Sequence, residues 1–222
     1  MRLVAVAHGT RSVRGQAQIR GLVARIVRRR PGLDARLSYV DVQEPRVGEL
    51  MPALTGPSVV VPLLLTAGYH VGVDIASAVA GTEAVVAGPL GFDPRLVDVL
   101  AARIKAAGPV DAVVLAAAGS SDPRSRAEVA AVARALPVPA EVGYAAAGSP
   151  RVPEAVARLR SAGARRVTVA AYLLVDGLFH RSLRRAGADA VTAPLVTAPA
   201  VEDIVLDRYD TARAAAVTRS GV

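Results

Sequence analysis

The sequence predicts an α/β protein of two similar tandem domains, each a four-stranded parallel sheet flanked by helices. Three observations carry that reading. The run at 59–65, VVVPLLL, is apolar without polar alternation and β-branched at first, the pattern of a strand buried on both faces of a covered parallel sheet. Strand-like and helix-like stretches alternate along the chain. The second half also repeats the first, motif by motif and in the same order.

Residues 3–7 form a short apolar strand that runs into the turn His8-Gly9-Thr10-Arg11. Over 13–30, Ile19, Leu22, Val23 and Ile26 recur at helical spacing, and Pro31-Gly32 ends the helix. A second strand is expected over 35–42, closed by Asp41, Gln43 and Glu44. Pro45 then suits a first helical position, and a helix runs to about Leu54 before Gly56-Pro57. After the strand that starts at Val59, His70 falls at or beyond its carboxyl end, the edge where open α/β sheets bind ligands. A helix, a strand near 83–87 and a helix over 94–106 complete the half.

Residues 4–15 resemble 114–125, 38–50 resemble 143–155, 59–71 resemble 167–179, and 88–100 resemble 193–205. The expected domains are therefore 1–107, carrying the metal site, and 108–222, a duplicate joined near Gly108-Pro109. In this alignment His8 faces Ala118, Asp41 faces Ala146, and His70 faces Leu178. Each polar, metal-competent residue of the first copy is thus apolar in the second. One site shared by two copies needs only one set of ligands, so the three stand out as functional. Two neutral imidazoles and a carboxylate suit a divalent first-row metal such as Fe(II), Co(II), Ni(II) or Zn(II), and the same groups could accept protons near neutral pH.

Composition narrows the field. The 222 residues can bury a sizeable core, and no apolar stretch is long enough for a membrane span or a secretory signal, so a cytoplasmic address is expected. Without cysteine there are no disulfides, thiolate sites or iron–sulfur clusters. The net charge of +8 rests almost wholly on arginine, Lys105 being the one lysine. Aromatics at 3% offer no stacking platform, which argues against nucleic acid and leaves a polyanionic small ligand. No Gly-rich loop with lysine follows a strand, so no nucleotide or other organic cofactor is implied.

His8-Gly9-Thr10-Arg11 after the first strand, Asp41 in VDVQEP after the second, and Pro62-Leu63-Leu64-Leu65 through His70 to Asp74-Ile75 after the third together resemble the sirohydrochlorin chelatases of siroheme and cobalamin synthesis. The likeness spans the whole chain, since long members of that family are tandem duplications. It implies a lyase-type chelatase that inserts Fe(II) or Co(II), as substrate, into the tetrapyrrole sirohydrochlorin, with the metal held between halves. His8, His70 and Asp41 are then both metal ligands and catalytic residues. Asp41 stands where the family has glutamate, one methylene longer, and Glu44 is the nearby alternative.

Metal insertion requires loss of two pyrrole N–H protons and of metal-bound water, so a weakly held metal beside a base fits the task. The substrate that the resemblance implies is a polycarboxylate, and arginine binds carboxylates bidentately. Arg11, Arg14, Arg46, Arg124 and Arg151, all beside repeat motifs, are the expected substrate contacts. His180 has no counterpart at a metal position and is expected to be structural or on the surface. A monomer or a homodimer is equally compatible with the duplication. Two rival functions are a metal- or tetrapyrrole-capture protein without turnover and a histidine phosphatase, although Ala7 stands where phosphatases carry arginine.

Overall fold

The structure, a computed structural model, describes residues 1–66 and 68–220, except for the side chains of 69–71, 219 and 220. Strand β1 (Arg2–Ala7) is buried from Leu3 onward and lies in the middle of the first sheet. β2 (Ala35–Tyr39) pairs on one side, with Leu3 opposite Ala35. β3 (Ser58–Pro62) pairs on the other, with Leu3 opposite Val59. β4 (Ala84–Val86) completes a four-stranded, all-parallel sheet of order β2-β1-β3-β4. The chain leaves β1 in one direction to reach β2 and lies on the other side for β3. The carboxyl ends of β1 and β3 therefore flank a topological switch point.

Helix α1 (Val13–Arg29) starts at Ser12, whose Oγ accepts from the Gly15 N–H at 3.3 Å, and it ends on Arg28 and Arg29, where cations suit the helix dipole. Its apolar stripe, Ile19, Leu22 and Ile26, is buried as its spacing predicts. On one face of the sheet Val4, Val6 and Val60 pack with Val47 and Met51 of α2 (Val47–Ala53) and with Ile75 and Ala78 of α3 (Tyr69–Val79). Leu3, Ala5, Val59 and Val61 point to the opposite face by alternation and are equally buried. Each such valine or leucine stabilises the fold by ~1.5–3 kcal/mol.

The second copy reproduces this layout. β5 (Ala112–Ala117), α5 (Pro123–Ala135), β6 (Ala140–Tyr144), α6 (Val152–Ser161), β7 (Val167–Tyr172), α7 (Leu178–Leu183) and β8 (Ala190–Val191) follow in turn, with parallel sheet order β6-β5-β7-β8. Its core joins Val114 and Ala116 to Val152, Ala155, Val156 and Val169.

The remaining two helices close the repeats in sequence but pack with the other copy. Residues 1–91 and 201–222 form one compact unit and residues 92–200 the other. α4 (Pro94–Ala106) belongs to the second unit, where Arg103 donates to the Ala193 carbonyl at 2.8 Å and to Thr197 Oγ1 at 3.1 Å. Burial there lowers the Arg103 pKa from its ordinary value. α8 (Pro199–Ser220) lies against α1, joined by Arg25–Glu202 at 2.5 Å, Arg29–Asp203, and a bidentate Arg30–Asp210 pair at 2.7 Å for each bond. Glu202 is buried, and such a charge is tolerated only when paired. The sequence repeat and the packing unit thus differ by one helix each.

Two element boundaries differ from the sequence reading for local reasons. β2 stops at Tyr39 rather than Val42, because Val42 adopts a φ of 68° and turns the chain away. Pro45 is not a first helical residue: it follows a cis peptide bond, and its carbonyl accepts from the Tyr39 N–H at 3.1 Å and from Ser38 Oγ at 2.9 Å. The helix therefore begins two residues later, at Val47. Among the described residues, no helix is long and apolar enough to cross a membrane.

Candidate metal centre

His8 and Asp41 sit on the loops that leave β1 and β2, and His70 lies in α3, the helix that follows β3. His8 is the first residue after β1 and is exposed. Its carbonyl accepts from the Asp41 N–H at 2.9 Å, and the Ala7 carbonyl accepts from Val40 at 2.9 Å, so the β1 and β2 loops are stitched together past the ends of their strands. Gly9 makes this approach possible. With a φ of 101°, any Cβ there would lie 1.9 Å from the Asp41 carbonyl oxygen.

Gln43 adds a second tie between the loops. Its Oε1 accepts from the Thr10 N–H at 2.9 Å, and its side chain also bonds the Tyr39 phenol. Burial raises the Tyr39 pKa, with Arg20 and the Gln43 bond acting the other way. The Thr10 carbonyl in turn accepts from Gln16 Nε2 at 2.9 Å, and Thr10 Oγ1 accepts from Ser12 at 3.1 Å. These positioning roles of Gln43 and Thr10 were missed in the sequence, although both residues lie inside its motifs.

Asp41 is exposed, and its Oδ1 accepts from the Val42 N–H at 2.7 Å. Arg46 is the N-cap residue of α2 and lies between the two candidate carboxylates, 3.7 Å from Asp41 and 3.2 Å from Glu44. Glu44 also accepts from the Arg46 backbone N–H at 2.9 Å. Glu44 is thus committed to the start of α2, whereas Asp41 is tied more loosely. His70 falls in the first turn of α3, two residues after the N-cap Gly68, and its side chain lies outside the described residues. Among the described residues, no three His, Asp or Glu side chains gather as a metal site.

Arg11 and Arg14 are exposed at the start of α1. In the second copy Arg124 is almost fully exposed, 3.5 Å from Asp122, and Arg151 is exposed at the N-cap of α6. The Arg151 backbone N–H donates to Glu154 Oε2 at 2.9 Å, and its Nη2 donates to the Ala145 carbonyl at 2.8 Å. His180 is buried, with its Nε2 2.9 Å from the Thr192 carbonyl and its Nδ1 3.6 Å from Asp176, which fixes α7 to the segment after β8.

Ladder register corrects one correspondence between the copies. Leu3 pairs with Val59 and its counterpart Val113 pairs with Thr168, so Val59 matches Thr168 rather than Val167. The N-caps Gly68 and Gly177 keep the same offset. His70 therefore corresponds to Phe179, not Leu178. The replacement is still apolar.

The fold is thus a duplicated parallel α/β sheet, with the His8 and Asp41 loops at the carboxyl edge of the first copy. The model of the CbiX family matches residues 2–107 and again residues 112–212, and the chain belongs to that family. A sirohydrochlorin cobaltochelatase of Sulfolobus acidocaldarius is 30% identical over 106 residues, covering 44% of this chain and 85% of that protein. SirB from Bacillus subtilis, solved with Fe3+, superposes with a TM-score of 0.77 at 23% identity over 94% of each chain. CbiX, described as the terminal enzyme for siroheme biosynthesis in denitrifying bacteria, superposes with a TM-score of 0.69 at 22% identity, over 96% of this chain and 99% of that one. At these identities the two structures speak for the fold.

Proposed function

We propose that this protein inserts a divalent metal, Fe(II) or Co(II), into sirohydrochlorin, with His8, His70 and Asp41 receiving the incoming ion as substrate. The observation that carries the reading is an asymmetry. The chain holds the same sheet edge twice, yet at the three matching positions the first copy has His8, Asp41 and His70 where the second has Ala118, Ala146 and Phe179. Membership of the CbiX family and the likeness to a cobaltochelatase favour the same chemistry.

In this reading the backbone ties place His8 and Asp41, and the Asp41 carboxylate, which also accepts from the Val42 N–H, is exposed toward the incoming metal. Few and weakly committed ligands suit a metal that must be passed on, since a closed four-ligand site would retain it. An unprotonated imidazole beside the metal can accept a pyrrole proton as the ion enters the ring. Arg46 competes with the metal for Asp41, which keeps the ion loosely held. Arg11, Arg14 and Arg46, with Arg124 and Arg151 at corresponding places of the second copy, are proposed to bind the substrate's carboxylates.

The test is anaerobic mixing of the purified protein with sirohydrochlorin and either Fe(II) or Co(II), following the absorbance change of the tetrapyrrole. Insertion above the uncatalysed rate, abolished by His8→Ala and by His70→Ala, is the expected result. A rate equal to the blank while tetrapyrrole still binds would leave a capture protein instead. The ratio of the two metal rates decides between iron and cobalt, which share these ligand preferences.

A further inference from the structure

We propose that the opposite, amino edge of the first sheet holds a second ligand site, one for a small organic polyanion. A cavity of about 570 Å³ opens there, within the range of small-molecule pockets. It is lined by Arg2 at the start of β1, Asp34 just before β2, Arg30 at the end of α1, and Tyr209 and Arg213 of α8, with Leu33 adding apolar surface. Three guanidinium groups thus meet one lining carboxylate.

The cations are set in place before any ligand arrives. Asp34 holds Arg2 at 2.6 Å, and Asp210 holds Arg30 through two bonds of 2.7 Å. Arg30 and Arg213 each lie over the Tyr209 ring, at 5.9 and 5.8 Å from its centroid, and Tyr209 is anchored by its hydroxyl to the Met1 carbonyl at 2.5 Å. Arg213 is about half exposed and only 3.9 Å from an Asp210 already occupied by Arg30, so it is the cation best able to take a further anion. Fixed guanidinium forks accept carboxylate or phosphate groups bidentately, and the apolar wall suits an organic body.

Arginine-rich composition alone does not account for this edge, because the second copy, equally rich in arginine, closes the same edge with carboxylates. There Asp111 accepts from the backbone N–H groups of Arg165 and Arg166 at 2.8 Å each. Asp189 accepts from Val167 and from Arg160, both at 2.7 Å. The two packing units therefore differ at this edge, with Arg2, Arg30 and, from α8, Arg213 gathered at the first and carboxylates capping backbone N–H groups at the second. Strands of five or six residues put these edges about 17–20 Å apart, so the cavity is not the candidate metal centre. The inference does not depend on the chelatase reading.

Titration calorimetry at fixed ionic strength would test it with four probes: citrate, phthalate, phenyl phosphate and inorganic phosphate. At least one organic anion is expected to bind saturably and about tenfold more tightly than inorganic phosphate. Arg213→Gln and Arg2→Gln should each weaken that binding about tenfold, a difference of ~1.4 kcal/mol. His8→Ala should leave it unchanged, and whether phthalate or phenyl phosphate binds more tightly tells carboxylate from phosphate. Arg213→Gln alters an exposed side chain, and an unchanged melting temperature would show that it remains folded. The proposal is overturned if no organic anion saturates, if inorganic phosphate binds equally well, or if the folded Arg213→Gln protein binds like the wild type.

Discussion

The loops after β2 and β6 follow the same path and carry different chemistry. In each, the two residues after the strand donate to the preceding loop's carbonyls, Val40 to Ala7 and Asp41 to His8, then Ala145 to Ala117 and Ala146 to Ala118. In each, a glycine in the left-handed region presses on that loop, and an X–Pro peptide is cis. Where Asp41 and Glu44 draw Arg46 toward carboxylates, Ala146 and Ser149 leave Arg151 to a backbone carbonyl. Backbone scaffolding is therefore kept in both copies, while the side chains on it differ, His8 and Asp41 of the first standing where the second has Ala118 and Ala146.

The sharpest way to break this comparison is to move the ligands. His8→Ala or His70→Ala should lower the insertion rate by about 10²-fold or more, the usual worth of a positioned acid–base or ligand group. Ala118→Leu and Phe179→Ala, at the matching positions, should leave it unchanged. An insertion assay on the four variants reads the contrast directly.

The shared scaffold should fail in both copies. Gly9→Ala places a Cβ 1.9 Å from the Asp41 carbonyl oxygen, and Gly119→Ala places one 1.7 Å from the Ala147 carbonyl oxygen. Each should cost ~1–3 kcal/mol or more in thermal or denaturant unfolding. Gly9→Ala should in addition remove insertion activity in whatever fraction remains folded, because it displaces His8 from Asp41.

A smaller effect distinguishes the two cap arginines. Removing Arg46 takes away a cation 3.7 Å from Asp41, an exposed pair worth ~0.2–1 kcal/mol. Arg46→Ala should accordingly tighten Co(II) binding by up to about fivefold, whereas Arg151→Ala should not change it. Equilibrium titration of each variant with Co(II) is the check.

The smallest expected effect concerns acid stability of the first unit. Hydrogen bonding from Arg30 holds the Asp210 carboxyl below its ordinary value. A depressed folded-state pKa contributes stability above the unfolded value of about 3.9, and this contribution is lost as pH falls through the lower, folded value. Asp210→Asn should therefore lower stability by ~0.2–1 kcal/mol at neutral pH, and the difference should shrink as pH falls through the lowered folded value, as denaturant unfolding at neutral and acidic pH would show.

Much of this was legible in the sequence because buried parallel strands advertise themselves. Val59, Val60 and Val61 carry no polar alternation and are fully buried, and Ile19, Leu22 and Ile26 keep helical spacing and face the core. The repeat placed the loops of His8, Asp41 and His70 at one sheet edge, since equivalent motifs follow equivalent strands. Other features depend on partners distant in sequence. That α8 packs against α1 rests on pairs such as Arg30–Asp210, which span most of the chain. Residue similarity alone also misjudged the His70 counterpart by one place, which hydrogen-bond register resolves. Pro45 looked like a helix start because its carbonyl's partner, Tyr39, becomes evident only in the fold.

The central claim, that a duplicated sheet carries a single metal centre, is tested most directly by anaerobic Co(II) titration of the whole protein, read from the visible bands of the bound ion. The account predicts one equivalent per chain, lost in His8→Ala and retained in Ala118→Leu. Two equivalents per chain, or one that survives His8→Ala, would contradict it.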